Sequence, residues 1–341
     1  MTGKSETTLQ ANFLNRIKII LGPDKSLVYE LAELLGVSTD SIYRRLRGET
    51  LLTIDEIALL CKRFNISFDI LSGNTSGLVT FQFSLLKDVE GYLAHWNYML
   101  NDMKQIAAAE KKQVIYAAVD IPLFHHFKFP ELATFKLFYW MKEVMNEPSL
   151  KDKSFNPDWL IPELLQISKE IYSTYCEIPA IEIWTESTVN SMLKQIEYYW
   201  ETGQFASKEL ALLIVDKAID EIETIIKQAE NCSKTDKPSD PGSEKLNFQI
   251  YQSDIEIGNN CVYTIRDNFS AVYMGFLTFN TMATNNEIYC RETEVWLTNI
   301  TKKSTLISGI AQKQRYQFFR KIIQRYEALK LNISGSAQLS L

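Results

Sequence analysis

Apolar residues in the segment 8–71 recur at intervals of three and four, the period of helices that bury one face. Leu9, Phe13, Ile17 and Ile20 mark a first helix. In LVYELAELLGVSTDSIYRRLRG, residues 27–48, two further short helices flank a tight turn. Ala32 is small enough to let them cross closely, Gly36 supplies the left-handed turn conformation, and Val37 fills the space beneath it. Ser38 is placed to cap the second helix through its hydroxyl, and Ile42 and Leu46, one turn apart, form its buried side. Thr53 with Glu56 three residues later is a capping box opening a helix through Phe64, with Ile57, Leu60, Cys61 and Phe64 as its stripe. Ser67 begins another short turn whose Phe68, Ile70 and Leu71 close the bundle. The pattern predicts five helices around one small core in residues 1–73.

At about 100° per residue, a helix that turns Ile42 and Leu46 inward turns Asp40, Arg44 and Arg47 outward, with Tyr43 and Arg45 on its flanks. An arginine on such a face can present two parallel donors to guanine O6 and N7, and one on the flank more naturally meets a phosphate. Asp40 can accept from cytosine N4 or, four residues before Arg44, orient that side chain. Lys25, at the entrance of the preceding helix, adds local positive charge, as do Lys62 and Arg63 further along. A helical hairpin with a solvated arginine face is the plainer alternative.

The set LAELLGVS, IYRRLRG and LTIDEIALL resembles the lambda-repressor/Cro-like, or Xre-type, helix-turn-helix family over roughly a fifth of the chain. The resemblance implies that Ser38, Thr39, Asp40, Tyr43, Arg44 and Arg47 occupy the part of the recognition helix laid in the major groove of double-stranded DNA. Two positions depart from it. Arg45 stands where the family usually has an apolar residue, which implies a slightly rotated helix. Thr39 and Asp40 stand where many members carry glutamines, so a target sequence does not carry over.

Beyond a hinge at NTSGL, residues 74–78, the chain becomes rich in aromatics. A long helix is expected from Ser84 to about Lys112, a strand from Gln113 to Ala118, and helices at 158–176, 187–202 and 207–230. Seven aromatics and two histidines lie between Phe124 and Trp140. Rings this dense point to a core or a subunit interface, with a pocket for an apolar effector as the alternative. Adjacent histidines point in different directions, and His95 is the only other one, so no metal site is expected at His125 and His126. The polar run CSKTDKPSDPGSE, residues 232–244, reads as a linker. After it the period changes: strands are expected at Phe248 and Ile250, at Ile255 and Ile257, from Cys261 to Ile265, and from Ala271 to Phe279, the last as the central, doubly buried strand. Helices follow at 287–301 and 311–330, the second carrying Lys313, Arg315, Arg320, Lys321 and Arg325 as a solvated row or an anion-binding one. The expected fold is mainly α: a five-helix lambda-repressor-like N-terminal domain, a mostly helical effector or dimerisation region at 79–231, and a small α+β domain at 245–333.

Composition narrows the function. The net charge is −6, and residues 1–75 balance nine basic against nine acidic side chains, so non-specific attraction to DNA is expected to be modest. No run of 18 or more apolar residues occurs, and MTGKSETTLQ lacks an apolar signal region, which argues against membrane insertion and export. Five cysteines without a CxxC pair fit reduced thiols in a cytoplasm. There is no Gly-x-Ser-x-Gly elbow, P-loop, dinucleotide-binding glycine pattern or HExxH helix, and no histidine follows His126; no catalytic residues and no cofactor are expected. One such module buries little surface, and useful specificity generally needs two on paired half-sites. The expectation is a homodimeric, one-component transcriptional regulator, with a small-molecule or peptide effector as a further partner. A peptide-responsive regulator with a helical-repeat receptor is one alternative, although no period of about 34 residues is visible; a protein using the helix-turn-helix only as a docking module is another.

Overall fold

A computed structural model describes residues 8–22, 26–64, 66, 77–84, 86, 89–159, 161–235, 247–276 and 280–335, and divides the chain into two compact units, Met1–Thr80 and Phe81–Leu341. In the first unit Thr8 caps α1 (Leu9–Leu21) by accepting from the Ala11 N–H. Helices α2 (Leu27–Leu35), α3 (Thr39–Leu46) and α4 (Ile54–Phe64) follow. Phe13, Leu14, Ile17, Leu31, Ile42, Leu52, Leu60 and Ile66 are its buried core. The expected fifth helix around 67–71 lies outside the described residues.

The second unit is built on one seven-stranded sheet in the order β6-β5-β4-β1-β2-β3-β7. After α5 (Val89–Ala108), β1 (Lys112–Ala118) leads through α6 (Leu123–His126), α7 (Pro130–Tyr139), a π-helical turn at Trp140–Val144, and α8 (Pro162–Cys176) to β2 (Ala180–Trp184). Helices α9 (Asn190–Glu201) and α10 (Lys208–Asn231) lead to β3 (Phe248–Gln252). These three strands are parallel neighbours. The chain then returns as β4 (Cys261–Arg266), antiparallel to β1, with β5 (Phe269–Phe276) and β6 (Asn280–Thr284) continuing outward. After α11 (Glu287–Lys303), the short β7 (Thr305–Leu306) closes the other edge against β3, and α12 (Gln312–Gly335) is the last described element.

Strand alternation divides the core. Val114, Tyr116, Ala118, Ala180, Trp184, Phe248 and Ile250 face a large helical layer containing Trp96, Phe135, Trp140, Tyr199, Ile222 and Tyr326. Ile115, Ala117, Ile183, Cys261, Tyr263 and Val272 face the opposite way, against Cys290, Leu297 and Ile300 of α11. The aromatic-rich segment is core: Phe135 packs on Phe155, Tyr199 and Phe205 with centroids 5.2–5.6 Å apart.

Three expectations change. The polar run at 232–244 does not separate two folds, because β1 and β2 from the middle region pair with β4 and β3 from beyond it. The run from Ala271 is neither central nor doubly buried: β5 lies one place from the β6 edge, Val272 alone among its residues is buried, and β1 is the middle strand of the seven. Ile255 and Ile257 belong to no strand, and Ala180–Trp184, where the sequence pattern predicts no element, is one.

In β2, Glu182 points into the helical layer and is fully buried. Its carboxylate accepts from Tyr175 Oη at 2.5 Å and Trp184 Nε1 at 2.8 Å, and pairs with His125 Nε2 at 2.8 Å. Burial disfavours its charge, yet His125 and these donors hold its pKa below the ordinary carboxylate value. His126 Nδ1 engages a different carboxylate, Glu221, at 2.8 Å. Among the described residues no helix is long and apolar enough to cross a membrane, and no group of three or more His, Cys, Asp or Glu side chains is arranged to hold a metal ion.

Candidate nucleic-acid interface

The two helices of the motif end in the same way. At the end of α2, Gly36 adopts φ +64°, its N–H donates to the Glu33 carbonyl, and the Val37 N–H reaches back to Ala32 at 3.1 Å. At the end of α3, Gly48 adopts φ +75°, its N–H donates to Arg45, and the Glu49 N–H donates to Arg44 at 2.9 Å. Both are Schellman closures, which satisfy terminal carbonyls and need a residue free to turn left-handed. Ser38 caps α3 by accepting from the Ser41 N–H at 3.3 Å. Its backbone is thus fixed at both ends.

Ser38, Thr39, Asp40, Tyr43, Arg44 and Arg47 are all exposed on this segment, Tyr43 by 51%. Arg45 is not. It is only 9% exposed and turns inward beside Ile42, where its guanidinium bonds Ser41 Oγ at 2.5 Å and Glu56 Oε1 at 2.6 Å. The expected DNA contact at Arg45 is therefore corrected: the side chain fills the apolar position of the motif with its stem and compensates its charge on α4. No rotation of the helix is needed, since Ile42 and Arg45 together make the inward edge and Leu46 is half-buried. Lys25 lies outside the described residues.

Glu56 serves two purposes. Its other oxygen accepts from the Thr53 N–H at 2.8 Å while Thr53 Oγ1 accepts from the Glu56 N–H at 3.2 Å, so the capping box forms as read. From α1, Gln10 donates to the Arg45 and Thr50 carbonyls and accepts from the Leu52 N–H, all at 2.8–2.9 Å. It braces the loop after the recognition helix. Nothing in the local pattern around Gln10 announces this role.

Outside, Glu49 was not among the candidate residues, yet it sits between the two exposed arginines. It accepts from Arg47 Nε at 2.6 Å and Nη2 at 3.0 Å, with Arg44 Nε at 3.6 Å. The bond to Arg47 lowers the Glu49 pKa, and Arg44 adds to it. The sequence signal was an acidic residue directly after a helix-ending glycine.

The basic row on α12 is largely engaged within its own unit. Arg315 is buried and donates to the Ile307 and Gly309 carbonyls; Lys321 pairs with Glu186, and Arg325 donates to the Glu186 carbonyl and Asn190. No curated protein and no solved structure matches this chain. Residues 25–71 match the family model described as helix-turn-helix, and with the paired glycine closures, the capped recognition helix and its exposed arginines, this identifies the N-terminal segment as a DNA-binding helix-turn-helix of the Xre, lambda-repressor-like type.

Proposed function

We propose that the protein is a non-enzymatic, cytoplasmic one-component transcriptional regulator that reads specific double-stranded DNA as a homodimer. The observation that carries this reading is the outward set Thr39, Asp40, Tyr43, Arg44 and Arg47 on a helix whose backbone is fixed by caps at both ends. In this reading α3 enters the major groove, Arg44 and Arg47 donate to base edges, and Ser38, Thr39 and Tyr43 contact bases or phosphates near its start. Two copies are needed because one helix of this length spans only a few base pairs, and a paired site multiplies discrimination.

The Phe81–Leu341 unit holds two reading units at a fixed separation, and a small-molecule or peptide effector shifts that separation by binding one arrangement more tightly. Its size supports the sensing role, since pairing alone does not require a seven-stranded sheet with helices on both faces. That sheet also speaks against an all-helical repeat receptor.

The test is capture of genomic fragments by the full chain beside the Arg44→Ala/Arg47→Ala variant at near-physiological salt. A short two-fold-symmetric sequence enriched by the wild type and lost in the variant is the expected result. Equal behaviour of both, or no enrichment, would leave the helix-turn-helix as a docking element. Sedimentation of the free protein and of its complex with one duplex reads the dimer separately.

A further inference from the structure

The exposed carboxylate between the recognition arginines has a geometry of its own. Glu49 takes the side edge of the Arg47 guanidinium, made of Nε and one hydrogen of Nη2. Of the five N–H groups of arginine, the pair on the end edge, from Nη1 and Nη2, is not taken by Glu49, and that pair is a fork that matches guanine O6 and N7. The position of Glu49 is set by the backbone. Gly48 reverses the chain at φ +75°, and the Glu49 N–H is tied to the Arg44 carbonyl, so its side chain starts from a fixed point beside the last turn of α3.

We propose that Glu49 is a specificity-determining positioning residue: it grips Arg47 by one edge so that the other edge meets a guanine, and its charge repels phosphates that compete for the same arginine. This rests on the DNA-reading assignment made above. Holding the fork in advance reduces the side-chain freedom lost when it meets a base. The added negative charge acts on the sequence-independent part of binding, which comes from displaced counterions. Removing the carboxylate therefore has two effects of opposite sign. Reading of one guanine loosens, and attraction to any duplex strengthens. An ion pair that merely decorates the surface leaves the guanine preference unchanged.

The experiment is selection from a random duplex library by the full chain, its Glu49→Gln and Glu49→Ala variants, and Arg47→Ala. Binding of the selected and a scrambled duplex is then followed over a salt series. Glu49 is exposed, and an unchanged circular-dichroism melt confirms folding of each variant. The wild type is expected to select a site containing a guanine whose preference disappears in Arg47→Ala. In both Glu49 variants, preference at that same position falls about tenfold while other positions hold. The scrambled duplex binds more tightly, with a log–log salt slope steeper by about one. Full guanine preference in the Glu49 variants would overturn the proposal, as would parallel weakening of both duplexes or a selected site with no guanine dependent on Arg47. If the wild type selects no sequence, the DNA-reading assignment itself fails and this proposal with it.

Discussion

Replacing Glu56 by alanine tests how the recognition helix is held on its domain. The carboxylate makes two bonds that alanine cannot: one from the Thr53 N–H, and one from Arg45, whose side chain is 10% exposed. Loss of the capping bond costs about 1 kcal/mol. The Arg45 guanidinium keeps its bonds to Ser41 Oγ and the Ser41 carbonyl, while its Nε finds no acceptor among the described residues. Leaving Nη2 without an acceptor as well costs about 1–2 kcal/mol. Glu56→Ala is therefore expected to destabilise this unit by about 2–3 kcal/mol, a large share of the stability of so small a core. Glu56→Gln, which retains an acceptor oxygen, is expected to cost less than half as much. Hydrogen exchange of the full chain, read by mass spectrometry, localises the effect: amides of α3 and α4 should exchange faster by about 30- to 150-fold, and those of β1 and β2 should not change. A loss below about 0.5 kcal/mol, the level of an ordinary surface substitution, would refute the reasoning, because Arg45 would then be satisfied without its partner.

Further outcomes follow from the same geometry. Arg45→Met keeps the packed stem and removes the charge but leaves the Glu56 carboxylate without its Arg45 partner while the capping box stays, and should cost about 1–2 kcal/mol with DNA affinity close to wild type in a binding titration. Gly48→Ala forces a side chain into the left-handed region and should cost about 1–2 kcal/mol, measured by the same exchange experiment in α3. Glu182→Ala leaves His125, Tyr175 and Trp184 without their shared acceptor and should lower the stability of the Phe81–Leu341 unit by about 3–5 kcal/mol, seen in a thermal melt. Lys234, buried with its ammonium 3.6 Å over the Tyr175 ring, has its pKa pushed down to about 7 by burial, which Glu182 only partly offsets. Above that value the folded state releases a proton that the unfolded chain retains, so stability should rise from about pH 7 to about pH 8.5, where unfolded-state thiols begin to ionise. Lys234→Met should remove this rise; an identical pH profile in the variant would count against it.

Local chemistry made the N-terminal unit readable. The Ser38 cap, the Gly36 turn and the Thr53–Glu56 box are each decided within a few residues, and all three form as the sequence indicates. Arg45 was misjudged because the partner that permits its burial lies 11 residues away on another helix. Helices α5 and α8 to α12 were legible within a few residues of their bounds, since each carries a one-sided stripe; α6 and α7 were not, the first being a single turn and the second buried on every side from Leu132 to Phe138. The sheet of the larger unit was not legible. The segment Ala180–Trp184 carries a glutamate at its centre, and only the donors Tyr175, Trp184 and His125, brought together by the fold, make that residue acceptable in a buried strand. The run from Ala271 misleads because an apolar run does not report which faces are covered: β5 is half-exposed along most of its length, and its place near the β6 edge follows from the pairing of β4 with β1, far back in the chain. The role of Glu49 was hidden for a related reason: an acidic residue in a loop gives no sign of which arginine it grips.

The placement of β1 in the sheet governs how the chain must be made. Lys112 lies opposite Arg266, and Ala117 opposite Cys261, so one side of β1 has no partner until the chain as far as Arg266 has left the ribosome. By contrast, among the described residues of the N-terminal unit the side-chain bond from Leu52 to Gln10 spans 42 residues. The helix-turn-helix unit can therefore form early in synthesis, while the nascent β1 waits with an open, apolar edge of the kind that pairs with neighbouring chains. Polypeptides ended in the polar run at 232–244 would keep that edge permanently, and should accumulate as insoluble protein even though every helix of the middle region is present.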